Sequence, residues 1–228
     1  MFFAGELSKV ESLTISKEEV LRYLGYRAQK HRLNKRILQI LDLEMTEASE
    51  LLAPRGYFGI FEAPLLRREK VFRDAEMVAF GVCTIGNALE KRVGELFNRD
   101  EGVRGVVLDA VGSTAAEKVA DLLNKEVLKW GSRRGLRATR RFSPGYGGWS
   151  VSGQDLIFGY LRETQEKTGV TLSPSQMMTP LKSVSFAVKL GKGYLEEINK
   201  GACGSCTLYG RCLFQQEEKC SRQKARSD

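Results

Sequence analysis

The sequence lacks the features of a membrane or secreted protein. It contains no uncharged apolar run of about 18 residues, the length that a membrane-spanning helix needs. Its first residues, MFFAGELSKVES, have neither the basic stretch nor the long apolar stretch of a signal peptide. We therefore expect a cytoplasmic protein without a membrane span.

Signatures of nucleic-acid binding are also missing. The 36 basic and 28 acidic residues give a net charge of +8. The basic residues are scattered, however, and no helix-turn-helix or RNA-binding motif accompanies them. An anionic cofactor or an acidic partner protein explains the charge as well as nucleic acid does. A basic, zinc-containing nucleic-acid binder stays open as a weaker alternative, and its binding should fall steeply with salt.

Cysteine is scarce over most of the chain and concentrated at its end. Cys83 lies alone in an apolar run, where we expect a buried core thiol. The other four are separated by two, five and seven residues: Cys203, Cys206, Cys212 and Cys220. This spacing is tighter and less symmetrical than that of structural zinc sites, and it favours a [4Fe–4S] cluster. Zinc, or thiols that bind no metal, are the alternatives.

The composition predicts a folded domain followed by a short appendage. With 228 residues, of which 42% are apolar, the chain can bury a core without metals or disulfides. The composition changes to cysteine and charge after the stretch GKGYLEEINKGACG. We therefore predict an α+β domain over residues 1–195 and a cysteine-rich segment over residues 196–228.

Helical and strand patterns alternate irregularly along this domain. Strands are predicted over residues 10–15, 57–66, 77–85, 136–143 and 183–190, and helices over 16–26, 33–52, 88–98, 106–130 and 154–161. Ser16 and Glu19 are predicted to form a capping box at the start of the first helix. Because no regular βαβ repeat is present, the pattern favours an α+β fold over a doubly wound sheet.

The long helix over 106–130 combines an apolar stripe with a polar one. Asp109, Ser113, Glu117 and Asp121 recur at steps of four residues, which places them on one face. A solvent-exposed face is one interpretation of these acids, and a binding face is the other.

The stretch RRFSPGYGGWSVSGQ, residues 140–154, is the most informative in the chain. Its glycines permit a positive φ and a close approach of backbone to a ligand. Arg141 can hold a carboxylate through two parallel hydrogen bonds. A plain surface turn with a loosely paired arginine is the alternative interpretation.

Two motifs in this region resemble a known family. RFSPGYGGW is similar to the Arg-x-x-x-Gly-Tyr signature of the activation domain of cobalamin-dependent methionine synthase, and MTPLKSVSFAV is similar to its Pro-x-x-Ser-Val-Ser stretch. The order of elements between the motifs also agrees. The resemblance covers residues 103–190 well and the N-terminal part loosely. It implies a twisted, mainly antiparallel sheet with flanking helices, as a stand-alone copy of that domain.

The resemblance implies the reductive activation of a corrinoid protein. In that family an oxidised cob(II)alamin is reduced by one electron and is then trapped by the methyl group of S-adenosylmethionine. The implied partners are a corrinoid protein or the cobalamin-binding domain of a methyltransferase, and an electron donor such as flavodoxin or ferredoxin. Because methionine synthase lacks the cysteine cluster, we expect the cluster to relay electrons here. A purely reductive activator without S-adenosylmethionine, and a non-catalytic module that binds corrinoid proteins, are the alternatives.

Site residues follow from the resemblance by position. Arg141 is expected to hold the ligand carboxylate, and Tyr146 to lie between the ligand and the corrin face, where the reaction takes place. Glu117 is the first candidate for the ligand ammonium and Asp109 the second. The backbone around Ser143 and Gly145 is expected to contact the nucleoside, and Ser183 and Ser185 are expected to line the corrinoid side. Gly147 is a further predicted cofactor-binding residue. The chain departs from the family at Gly147, where the family has proline, and in the segment WSVSGQ, which replaces an acidic-histidine segment.

Overall fold

The computed structural model describes residues 1–7, 13–26, 34–66, 69–146 and 148–193. Its centre is a five-stranded sheet with the order β1-β2-β3-β7-β4. These strands are β1 (Phe3–Leu7), β2 (Arg55–Glu62), β3 (Met77–Thr84), β4 (Arg137–Ala138) and β7 (Ser183–Gly191). Every neighbouring pair is antiparallel. A separate hairpin pairs β5 (Thr171–Leu172) with β6 (Met178–Thr179).

Helices pack on both faces of the sheet. They are α1 (Lys17–Tyr23), α2 (Lys35–Leu51), α3 (Ala88–Asn98), α4 (Gly102–Ser132), α5 (Gly153–Tyr160) and α6 (Thr164–Thr168). None of the helices in the described part of the chain is long and apolar enough to cross a membrane. The predicted α+β architecture with a mainly antiparallel sheet is therefore confirmed.

The alternation of side chains along β7 divides the core into two clusters. Phe186, Val188 and Leu190 face the larger cluster, which includes the apolar stripe of α4. Ala187 faces the opposite side and joins a second cluster with Trp149 of the turn before α5. Because successive strand residues point to opposite faces, β7 connects both clusters. Its first residues meet the loops around the predicted site, and its last, Gly191, pairs with Arg137 at the other end.

Two predicted strands are wrong in part. Of the strand predicted over 10–15, residues 13–15 form no strand, and residues 10–12 lie outside the described residues. The N-terminal strand is instead Phe3–Leu7, whose five residues show no clear alternation of apolar and polar side chains. The strand predicted over 57–66 ends at Glu62, and Ala63–Leu66 form a 3₁₀ turn. Pro64 has no backbone N–H to continue a strand ladder.

The strand predicted over 136–143 is also shorter than expected. Only Arg137–Ala138 pair with β7, followed by a single bridge between Phe142 and Ala187. Between them the hydroxyl of Thr139 accepts a hydrogen bond from the backbone N–H of Lys189 at 3.1 Å. A side chain thus takes the place of one ladder bond.

Helix α1 begins at the predicted cap, although the capping box is only half formed. The Ser16 hydroxyl accepts from the backbone N–H of Glu19 at 3.3 Å. The Glu19 carboxylate does not return to Ser16 but accepts from Arg22 at 2.7 Å. The Ser16 cap therefore holds, and an ion pair within the helix replaces the other half of the box.

A charged network joins α2 to α4. Arg104 of α4 donates to Glu44 at 2.5 Å, to Glu101 at 2.6 Å and to Glu47 at 3.0 Å. The side chain of Glu44 is 0% exposed, and its second oxygen, Oε2, has no hydrogen-bond partner in the described structure. Burial raises the pKa of Glu44, and the Arg104 guanidinium opposes that shift only in part. Arg104 is therefore the principal group that compensates a buried charge.

Candidate functional site

Arg141 lies between the end of the sheet and α4, where it contacts two acids of the predicted polar stripe. Its Nη2 donates to Glu117 at 2.5 Å and to Asp121 at 3.0 Å. Its Nε donates to the same oxygen of Asp121 at 3.2 Å. No hydrogen bond joins its third nitrogen, Nη1, to the described residues. The guanidinium therefore has one edge engaged by the protein and one edge open to a further acceptor.

The electrostatics of Arg141 favour the charged form. Burial acts to lower the pKa of Arg141, but the negative charge of Glu117, with that of Asp121, acts in the opposite direction and more strongly. The pKa therefore lies above its ordinary value. The side chains of Glu117 and Asp121 are 45% and 59% exposed, so that water or a ligand can reach both carboxylates.

Asp109, the second candidate for a ligand ammonium, belongs to a different cluster. Its carboxylate pairs with Lys182 at 2.8 Å, and the same ammonium donates to Ser113 at 2.8 Å. Asp109 is two helical turns from Glu117, about 12 Å along the axis. The structure therefore brings Arg141 together with Glu117 and leaves Asp109 with its own cation.

The segment 143–149, here called the glycine turn, folds back on itself through backbone hydrogen bonds. Gly145 donates to Trp149 at 2.8 Å, and Trp149 donates to Tyr146 at 3.0 Å. Gly145 has a φ of 90°, a conformation that favours glycine. Tyr146 projects from the tip and is 73% exposed. Gly147, the next predicted cofactor-binding residue, lies outside the described residues.

Trp149 anchors the glycine turn in the second core cluster. It is 4% exposed, and its ring lies 5.3 Å from that of Phe72 and 5.4 Å from that of Phe142. A Cβ at Gly153 would lie 2.5 Å from the indole Nε1, so only glycine leaves room for this packing. The exposed Tyr146 therefore lies on a turn that is held in place by the buried side chain of Trp149.

Of the predicted serines, Ser183 and Ser185 lie at the start of β7 and Ser143 lies at the start of the glycine turn, and all three use their hydroxyls inside the protein. Ser143 donates to the backbone carbonyl of Ser185 at 2.7 Å. Ser185, which is 2% exposed, donates to Oε1 of Gln154 at 2.8 Å. Ser183 donates to the carbonyl of Pro180 at 2.6 Å. A contact of Ser183 or Ser185 with a corrinoid stays a prediction.

Sequence reasoning missed several neighbours of Arg141. Asp121 was recognised as part of the polar stripe but not as a partner of Arg141. Burial raises the pKa of the Tyr23 hydroxyl in α1, and the negative charge of nearby Glu117 raises it further. Burial raises the pKa of the Cys83 thiol to about 12, and the charge of Arg141 opposes this shift. Cys83 is fully buried, as predicted, and no sequence signal placed it near the site.

Metal binding is predicted only outside the described part of the chain. Within residues 1–193, gaps aside, no group of three or more His, Cys, Asp or Glu side chains could hold a metal ion. Cys203, Cys206, Cys212 and Cys220 lie outside the described residues. The iron–sulfur cluster therefore stays a prediction from the spacing of the cysteines.

Comparison with known proteins supports the fold through structure. No family model and no curated protein matches the chain. Among solved structures, the chain is similar to the MetH reactivation domain in a crystal structure with AdoHcy bound. The TM-score is 0.58 at 17% sequence identity, with 85% of this chain and 80% of that chain covered. The chain therefore has the fold of the MetH reactivation domain, as the two sequence motifs predicted.

Proposed function

We propose that this protein returns an oxidised corrinoid protein to its active state. In the proposed reaction, one electron reduces cob(II)alamin on the partner to cob(I)alamin. The cobalt of cob(I)alamin then takes the methyl group of S-adenosylmethionine, which gives methylcobalamin and leaves S-adenosylhomocysteine. Because the methyl transfer is effectively irreversible, it draws an unfavourable reduction forward. The protein would act as a methyltransferase and reductase accessory in the cytoplasm.

The observation that carries this proposal is the pairing of Arg141 with Glu117, five residues before the exposed Tyr146. S-adenosylmethionine ends in a zwitterion with one carboxylate and one ammonium. The open Nη1 edge of Arg141 is suited to the carboxylate, and the half-exposed carboxylate of Glu117 is suited to the ammonium. Both charges of the ligand therefore find a partner of opposite sign within one small site. Asp109 is the weaker candidate because Lys182 already neutralises it.

The glycine turn supports the same placement. From Arg141 the chain runs through Ser143 into the turn, where Gly145 is exposed and has no side chain of its own. We infer that the nucleoside lies along this backbone and that Tyr146 separates it from the corrin ring. An aromatic side chain that is 73% exposed is suited to a flat apolar macrocycle.

Electrons are proposed to arrive through the C-terminal cysteines. Four thiolates are a sufficient ligand set for a [4Fe–4S] cluster, and such a cluster supplies one electron at a time. An external flavodoxin or ferredoxin would reduce it. Anaerobic purification followed by iron, sulfide and zinc analysis tests this part: about four irons per chain are expected, and zinc or no metal would refute the relay.

Reactivation of cob(II)alamin tests the proposal directly. The protein is mixed anaerobically with a cobalamin-binding domain in the cob(II)alamin state, S-adenosylmethionine and reduced flavodoxin, and the visible spectrum is followed. We expect the spectrum of methylcobalamin to appear, and to be lost when Arg141 is replaced by methionine. A wild-type protein that leaves the cobalt spectrum unchanged would indicate a non-catalytic binding module.

A purely reductive activator is favoured by one observation. Arg141 already has two carboxylates as partners and so does not require a ligand to compensate its charge. This version predicts cob(I)alamin without methylcobalamin, and no binding of S-adenosylhomocysteine. Titration calorimetry with S-adenosylhomocysteine therefore separates the two versions before any partner is identified.

A further inference from the structure

A cavity of about 430 Å³ lies at the end of the sheet where β7 leaves it. Its walls come from the ends of several elements and are mostly apolar: Phe2, Pro64, Met77, Trp130 and Leu136. The volume is in the range of sites that bind small molecules. Apolar groups that enter this cavity would therefore be removed from water, which favours their binding.

The aromatic wall of the cavity is incompletely satisfied. Trp130 is 6% exposed, and its indole Nε1 has no hydrogen-bond partner among the described residues. Phe2, whose ring lies 6.0 Å from the indole ring, is 60% exposed. Buried donors are nearly always satisfied in proteins. The cavity wall therefore includes both a donor that lacks an acceptor and an aromatic ring that lacks cover.

The chain leaves β7 at the rim of this cavity. Glu76, which lines the cavity, accepts at Oε1 from the backbone N–H of Lys192 at 2.6 Å. The backbone N–H of Glu76 also donates to the carbonyl of Leu190 at 3.1 Å. Residues 194–228 follow directly and lie outside the described residues. The start of this segment is thus held beside the cavity, so its effective concentration there is high.

We propose that Tyr194 and Leu195 dock in this cavity and attach the cysteine-rich segment to the domain. They are the first apolar residues after β7, two and three positions beyond the fixed N–H of Lys192. An oxygen of the docked segment accepts from the indole Nε1 of Trp130. The docking goes beyond the proposed function and does not depend on the reaction that the protein catalyses.

The charges at the rim fit the residues that come next. The guanidinium carbon of Arg134 lies 4.1 Å from the centroid of the Trp130 indole ring, and no described carboxylate forms an ion pair with it. Glu62 and Glu76 also line the cavity, but Glu76 is already engaged by the chain. Glu196 and Glu197 follow the two apolar residues directly, so that docking brings a carboxylate to the unpaired guanidinium.

The indole N–H signals in the NMR spectrum of the ¹⁵N-labelled full chain test this docking. The chain has two tryptophans, and Trp130→Phe assigns their signals. The combined change Tyr194→Ser and Leu195→Ser should shift the Trp130 signal by more than its linewidth. The Trp149 signal should stay, because Trp149 belongs to the other core cluster. The matched control is Leu213→Ser with Phe214→Ser, the same kind of change further along the segment, and it should leave both signals in place.

Cleavage by trypsin after Lys192 gives a second measurement. This bond lies between the fixed N–H of Lys192 and the docked Tyr194, so it is protected until the segment leaves the cavity. The serine variant at Tyr194 and Leu195 should be cleaved there about tenfold faster or more, since burial of one leucine side chain alone favours docking by that factor. Mass spectrometry of the fragments measures the rate, and the Leu213/Phe214 control should be cleaved as slowly as the wild type.

The possible outcomes separate this inference from the proposed function. If the Tyr194/Leu195 variant changes neither the Trp130 signal nor the cleavage rate, these residues do not occupy the cavity and the inference is overturned. If the Leu213/Phe214 variant shifts the Trp130 signal instead, a later part of the segment is docked and the assignment is wrong. A Trp130 signal that moves on dilution of the wild type would indicate a second copy of the chain and would also overturn it. Reactivation of cob(II)alamin, measured separately, decides the proposed function in each case.

Discussion

Replacing Asp121 by asparagine should strengthen the binding of S-adenosylhomocysteine. Asp121 and the ligand carboxylate would both lie within about 3 Å of the same guanidinium, and so about 5 Å from one another. Two unit charges at about 5 Å repel by roughly 0.8 kcal/mol in a medium as polar as water, and by more where the dielectric is lower. Removing the charge of Asp121 should therefore raise the affinity about fourfold. The loss of an exposed ion pair with Arg141 should cost about 0.2–1 kcal/mol of folding stability.

Titration calorimetry at low and high salt is the appropriate assay for this prediction. The gain should shrink in about 0.5 M NaCl, because exposed charges are screened there. Glu126→Gln is the matched control: it removes the same charge from the same helix, where Glu126 pairs with Lys129, and it should leave the affinity unchanged. Glu117→Gln should weaken binding. If Asp121→Asn weakened binding or had no effect, Arg141 would not hold the ligand carboxylate as we propose.

Three further predictions concern the fold that supports the site. Burial raises the pKa of the Cys83 thiol to about 12, so this thiol should resist iodoacetamide at about pH 8 in the native protein and react after denaturation. Mass spectrometry of the digested protein measures the modification of Cys83. Modification in the native protein would contradict the buried position. Arg104→Met should cost about 3–5 kcal/mol of unfolding free energy in urea at pH 7, because Glu44 is left charged and buried. Because the pKa of Glu44 is raised in the native state, this carboxyl takes up a proton more readily there than in the unfolded chain, and its own contribution to stability grows as pH falls. The deficit of the variant should therefore be smaller at about pH 5; an equal deficit at both pH values would refute this reasoning. Gly153→Ala should lower the free energy of unfolding by about 1–3 kcal/mol, because the added methyl group overpacks the indole ring of Trp149. Gly94→Ala in α3 should raise it by about 0.5–1 kcal/mol, because a Cβ there would have no neighbouring atom within 4 Å. The melting temperatures of the two variants should move in opposite directions.

The elements with strong periodicity were predictable from the sequence, and the edges of the sheet were not. Helices α2, α3 and α4 repeat their apolar residues at spacings of three and four, and β3 is a continuous apolar run. Each of these elements can therefore be predicted from its local sequence. The strand Phe3–Leu7 has no such pattern. It forms because it pairs with Gly56–Ile60 of β2, about fifty residues further along the chain. Such a long-range pairing cannot be predicted from the local sequence.

The same distinction applies to the candidate site. Steps of four residues along α4 predicted which acids share a face, but not which cation lies opposite them. The contact between Asp121 and Arg141 spans 20 residues of sequence and depends on where the segment before the glycine turn lies relative to the helix. Likewise, the burial of Gln154 depends on Ser185, 31 residues further on. The family resemblance indicated Arg141 and Glu117 as site residues. Only the packed structure showed that Asp121 also pairs with Arg141.

The two halves of the site rest on parts of the fold with different local stability. Glu117 lies on α4, whose apolar stripe is at the centre of the larger core cluster, so its backbone amides should exchange with deuterium only when the whole domain unfolds. Tyr146 lies on a turn that is held by a few backbone hydrogen bonds and one buried ring, where opening requires much less free energy. A ligand that spans both would therefore lose little freedom at the helix and restrict mainly the turn. Slower amide exchange on binding should accordingly be confined to residues 143–149, and this ordering of the turn is the main conformational-entropy cost that the ligand must overcome.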